Sequence, residues 1–189
     1  MTFKQAALLS LCGLAAIVSV PVVIISLVTW GENAPHPSDE RLLKDFTSKE
    51  ANLNRLLDMS NEDAKVIRIA HNFTRLDDDW GWPRPESKLG FSTERWNEYR
   101  DLFSKLGLPV GLERAEPKDG IYVYFPISTR GLGNGHGTSK GYAYLEKEVQ
   151  PLLDSLNDES VRDFYSREKP EHQLILYRRI KGNWYLFRG

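Results

Sequence analysis

Hydrophobic positions follow three regimes along the chain. Residues 6–30 (AALLSLCGLAAIVSVPVVIISLVTW) form one apolar run with no charged side chain. From about 39 to 59 and again from about 92 to 106 the apolar residues return at helical spacing, and beyond 111 the period shortens toward two. As a helix the first run would extend roughly 37 Å at ~1.5 Å per residue, more than a ~30 Å hydrocarbon core requires. It predicts a transmembrane helix over about residues 6–30, kinked at Pro21 and with Trp30 at the interface.

Two rival readings of this run fit less well. A cleaved signal peptide has an apolar core of about 7–15 residues and small residues at its cleavage site. This run is longer and ends in Thr29-Trp30-Gly31-Glu32. A lipoprotein signal at Leu9-Ser10-Leu11-Cys12 meets the bulky Leu11 where a small residue belongs. Lys4 and the α-amino group lie before the run, whereas residues 31–39 carry no Lys or Arg. The positive-inside rule then predicts a single-pass protein of the cell (inner) membrane, held in the bilayer by residues 6–30, with an extracytoplasmic C-terminal domain.

The remaining pattern divides into a Pro-containing linker at 32–37 and one domain over 38–189. Ser38 starts a helix whose apolar stripe is Leu42, Leu43, Phe46, Leu53, Leu56 and Leu57. A second S/T-x-x-E signal at 47–50 leaves one bent helix or two short ones open. Val66 to Ala70 reads as a strand, and a second helix starts near Ser92 and stops at Gly107 and Pro109. Strands follow at 111–115, 121–127, 142–145, 174–180 and 184–187, with a hairpin at Lys181-Gly182-Asn183 and a short helix over 151–156. The fold class this implies is α+β, with an N-terminal transmembrane helix followed by about two to three helices packed on one face of a mainly antiparallel sheet.

Charge narrows the partners. The 25 basic and 26 acidic residues nearly cancel and no Lys/Arg run stands out, so nucleic acid is not expected. The single cysteine, Cys12, lies in the apolar run, and the domain must hold together by its core without a disulfide.

Three stretches stand out in combination: Arg95-Trp96-x-x-Tyr99-Arg100-x-Leu102-Phe103, Ser139-Lys140-Gly141-Tyr142-Ala143-Tyr144, and Ile180-x-Gly182-Asn183-Trp184-Tyr185-Leu186. Together they resemble a group of small bacterial membrane-anchored proteins of uncharacterised activity. The resemblance covers roughly the C-terminal half and implies a bacterial origin and a single domain, but no activity.

Candidate chemistry is sparse. Residues 130–141 (RGLGNGHGTSKG) are rich in glycine, yet neither G-x-x-x-x-G-K-[ST] nor G-x-G-x-x-G fits, and a strand rather than a helix is expected next. The reading is a loop between strands; the alternative is an anion-binding loop using His136 and Lys140. Asp77, Asp78 and Asp79, with His71 nearby, lack the D-x-D-x-D-G spacing of a calcium loop and read as a solvated acidic turn. Trp80 and Trp82, in a Pro/Gly loop beside those aspartates, resemble a partner-contact rim. With no G-x-S-x-G elbow and no cysteine outside the apolar run, no catalytic, cofactor-binding or metal-binding residue is assigned and no cofactor is expected. The function expected is a binding module for a protein or envelope component. Its rival is a hydrolase or transferase that uses the loop at 131–141 to bind an anionic substrate.

Overall fold

The computed structural model describes residues 35–76, 86–116, 120–131 and 137–189. The apolar run at 6–30, the loop carrying Asp77, Asp78, Asp79, Trp80 and Trp82, and His136 all lie outside the described residues. Among the described residues, no helix is long and apolar enough to cross a membrane.

Helix α1 (Asp39–Glu62) is one continuous element. Ser38 caps it by accepting a hydrogen bond from the Arg41 N–H, and Asp39 and Glu40 occupy its first turn, where carboxylates favour the helix dipole. The cap signal at 47–50 is overridden because Leu42, Phe46, Leu53 and Leu57 form a single stripe on the core. Lys49 and Glu50 bridge that stripe with tertiary contacts: Lys49 donates to the Leu106 carbonyl at 2.9 Å, and Glu50 pairs with Lys181 at 2.6 Å.

Helix α2 (Thr93–Leu106) starts at Ser92, whose hydroxyl accepts from the Arg95 N–H. It stops at Gly107, where a φ of 69° places the N–H on the last carbonyls at little cost for a residue without Cβ. Arg95 ties α2 to the end of α1, reaching Glu62 at 2.6 Å and Asp63 at 2.7 Å.

Seven strands form one sheet: β1 (Val66–Ile69), β2 (Thr74–Leu76), β3 (Leu112–Ala115), β4 (Tyr122–Arg130), β5 (Thr138–Leu145), β6 (Leu176–Lys181) and β7 (Trp184–Arg188). Their order is β2-β1-β3-β4-β5-β7-β6, and every neighbouring pair is antiparallel. The third helix of the described residues, α3 (Asp158–Glu168), falls between β5 and β6. The α+β class with helices on an antiparallel sheet is therefore what forms.

Alternation along the strands separates the two faces. Val123, Phe125, Tyr142, Trp184 and Leu186 join the helices in the main core, where the Phe46 ring meets those of Tyr142 and Trp184 at 5.6 Å. On the other face Ala143, Leu145, Tyr177, Tyr185 and Phe187 make a smaller cluster covered by Val149 and Leu152.

Two sequence expectations are corrected here, and two elements are added to them. Residues 151–156 are not helical: Leu152 bridges Tyr177, and the Leu153 N–H donates to the Tyr177 carbonyl at 2.8 Å, so this backbone serves the open edge of β6. Helix α3 and the short strand β2 were not expected. Strand β5 starts at Thr138 rather than 142, so the end of the glycine-rich stretch is strand and not loop.

Candidate functional site

Strand pairing gathers the polar side chains of the helix-covered face at one end of the sheet. Arg130 sits opposite Thr138, Ser128 opposite Lys140, and Lys140 opposite Arg188. Because partners in register share a face, these groups lie beneath the starts of α1 and α3. Asp39 enters this region from the first turn of α1 and is fully buried.

The Asp39 carboxylate is held from three sides. Lys140 Nζ stands 2.7 Å from Oδ1 as an ion pair, while Oδ2 accepts from Arg178 at 2.8 Å and from the Leu156 N–H at 2.7 Å. Burial by itself would push the Asp39 carboxyl up; the bonds from Lys140, Leu156 and Arg178 outweigh it and hold the group below the usual carboxylate range. Asn157 completes the arrangement, its Oδ1 accepting from the Asp39 N–H at 3.0 Å and from Lys140 Nζ at 3.3 Å.

A second pair lies alongside. Arg188 donates to Asp158 Oδ1 at 2.6 Å and to the Leu156 carbonyl at 3.1 Å, and the Arg130 guanidinium is 3.9 Å from the other Asp158 oxygen. Arg130 Nε and Nη2 are buried and have no hydrogen-bond partner among the described residues.

His36 joins the linker to this end of the sheet. One ring nitrogen bonds the Ser128 hydroxyl and the other bonds Thr138 Oγ1 at 2.9 Å. Burial, then the positive charges of Arg130 and Arg188, push the imidazole down to about 4, so it is neutral at pH 7. Lys140, Arg178, Arg188 and Arg130 outnumber the two carboxylates Asp39 and Asp158 at this end of the sheet.

Beside this cluster a cleft of about 280 Å³ runs under α3. Thr138, Gln173 and Arg188 supply its polar lining, and Val161, Tyr165, Leu174 and Leu176 most of its apolar walls.

The sequence-based candidates fare differently. Lys140 is not an available cation in a loop: it lies inside β5, 1% exposed, and its charge is taken up by Asp39. His71 bonds the Leu108 carbonyl at 2.9 Å and packs edge-on against Phe103, a structural role. The partner rim of Asp77, Asp78, Asp79, Trp80 and Trp82, and the other loop candidate His136, fall outside the described residues. Among the described residues no group of three or more His, Cys, Asp or Glu side chains is arranged to hold a metal ion.

His36, Asp39, Arg130, Arg178 and Arg188 were missed. One signal was present: with Tyr142 and Tyr144 facing inward, a period of two also turns Lys140 inward, and an inward lysine requires a buried carboxylate.

Comparison with known protein-family models, with curated proteins and with solved structures finds no match.

Proposed function

We propose that the chain is a single-pass membrane-anchored protein whose α+β domain stands outside the cytoplasm and binds a protein or envelope component. The charge-free run at 6–30 supports the anchor. The observation that carries the reading is the His36 clamp. Bonds to Ser128 and Thr138, with Asp39 three residues on held by Lys140 and Arg178, fix the linker to the sheet. A domain clamped at its entry point is kept close to its anchor, which suits a module that meets a partner fixed in the same envelope.

The contact surface proposed is the Trp80/Trp82 loop with Asp77, Asp78 and Asp79. Photo-crosslinking of the full chain in its native membranes tests it. A crosslinked species that disappears in a Trp80→Ala, Trp82→Ala variant with unchanged melting temperature supports the reading; the same species at the same yield overturns it. A reporter active on one side only, fused after Gly189, tests the orientation, and cytoplasmic activity reverses it.

A second reading, a hydrolase or transferase with an anionic substrate at residues 131–141, is favoured by one observation. Arg130, at the base of that stretch, has two buried side-chain nitrogens that make no hydrogen bond among the described residues, its Asp158 contact being an ion pair at 3.9 Å. It predicts that inorganic phosphate or sulfate raises the melting temperature of the full chain and that Arg130→Gln abolishes the rise. Absence of any rise removes this alternative.

A further inference from the structure

The exposed large hydrophobic side chains of the described residues are two consecutive ones, Leu174 at 37% and Ile175 at 42%. They immediately precede β6, and Leu174 lines the cleft beside Thr138 and Arg188. Ile175 lies against Gly189, whose backbone exchanges two hydrogen bonds with Ser139. This rim therefore shares one end of the sheet with Thr138 and with the His36 that Thr138 binds.

The rim is held in shape. The Tyr165 hydroxyl donates to the Leu174 carbonyl at 3.0 Å and accepts from the Leu174 N–H at 2.9 Å. Both backbone polar groups of Leu174 are thus satisfied without water while its side chain stays exposed. Leu174 therefore enters a less polar medium without leaving its own peptide groups unpaired, the main penalty for irregular backbone near lipid. The amphipathic Tyr165 beside it is of the residue type favoured at headgroup depth.

Chain length places the rim. His36 is six residues beyond Trp30, and at ~3.3–3.6 Å per residue that stretch reaches at most about 22 Å. With residues 6–30 in the bilayer and Trp30 at its interface, the His36 end of the sheet stays within that distance of the membrane surface. We propose that this end of the domain rests on the lipid bilayer, with Leu174 and Ile175 inserted at headgroup depth and the Gly182-Asn183 turn at the other end of the β6–β7 hairpin pointing away. The inference depends on the anchor reading above. Lipid is the occupant because the tether keeps it at high local concentration, whereas another protein must be recruited.

The test uses the full chain carrying Cys12→Ser, reconstituted into vesicles of phosphatidylcholine with a minority of phosphatidylglycerol. Ile175→Cys, and separately Leu174→Cys in case one variant misfolds, carries a solvatochromic dye, and Asn183→Cys is the control. The expected result is blue-shifted emission from the rim, most of it lost when the lipids carry bromine near the headgroup, with the Asn183 site unaffected. A water-like, unquenched rim in a chain that resists alkaline carbonate extraction overturns the docking and leaves the anchor standing. Blue-shifted but unquenched emission means that a second copy of this chain covers the rim, and overturns lipid as occupant. Release of the chain by carbonate overturns the anchor and the docking together.

Discussion

Lys140 Nζ and Asp39 Oδ1 stand 2.7 Å apart with both side chains removed from solvent, although the two residues are separated by more than half the chain. The pair fastens the first turn of the first helix to the middle of the sheet, and everything at the linker end of the domain is arranged around it. Taking two charges out of water is expensive, so neither partner can be removed alone without leaving a buried charge unmet.

Asp39→Asn should therefore destabilise the domain by about 3–5 kcal/mol, since it strands Lys140 and also deprives Arg178 of its partner. Lys140→Met should cost less, because Asp39 keeps Arg178 and the Leu156 N–H. Chemical unfolding of the two variants measures the order, and equal costs would show that Arg178 contributes nothing.

Stability should fall as pH drops from about 6.5 to about 4 through His36. The folded state resists protonation of the buried imidazole, so below pH ~6.5 the unfolded chain binds the extra proton and gains relative to the fold. At ~1.36 kcal/mol per unit this loss is at most about 3 kcal/mol and is complete below the folded value. Asp39, held below the usual carboxylate range, withdraws its contribution only at still lower pH. Melting curves across this range for His36→Gln should lose the upper step and keep the lower one.

Tyr99 donates its hydroxyl to Asp63 at 2.8 Å, and burial raises the pKa of that phenol well above its ordinary value. Tyr99→Phe should cost about 1–2 kcal/mol, because Asp63 retains Arg95 at 2.7 Å. Arg95→Gln should cost more, as it frees Glu62 and Asp63 together. Thermal unfolding of both variants checks the order.

Gly141 is a packing requirement and not part of a phosphate loop. A Cβ there would come within 2.2 Å of the Phe125 carbonyl oxygen, beside the register shift between Pro126 and Ser128. Gly141→Ala should destabilise by about 3 kcal/mol through forced separation of β4 and β5. A change within experimental error in the unfolding midpoint would show that the strands separate freely.

Elements with strong local signals were legible in the sequence. Ser92 and Gly107 bracket α2 because the cap chemistry is local, and the Gly182-Asn183 turn joins β6 to β7 for the same reason. Helix α1 was legible in its start but not its continuity, which Lys49 on the Leu106 carbonyl and Glu50 on Lys181 sustain from outside the helix. The segment at 151–156 misled because its local pattern suits a short helix, while pairing with Tyr177 at an exposed sheet edge satisfies its backbone instead. The polar cluster was the least legible part, because its members come from the linker, four strands and two helix starts.

The order of apolar and polar residues by itself determined the α+β class, the N-caps of the first two helices and most strand positions, since these depend on neighbours a few residues away. Tertiary structure alone decided which charges meet. Whether Lys140 serves an anion from solvent or a carboxylate of its own chain depends on the register of β5 against β4 and β7 and on where α1 begins. Electrostatic partners are chosen by proximity in space, and a sequence records proximity only along the chain.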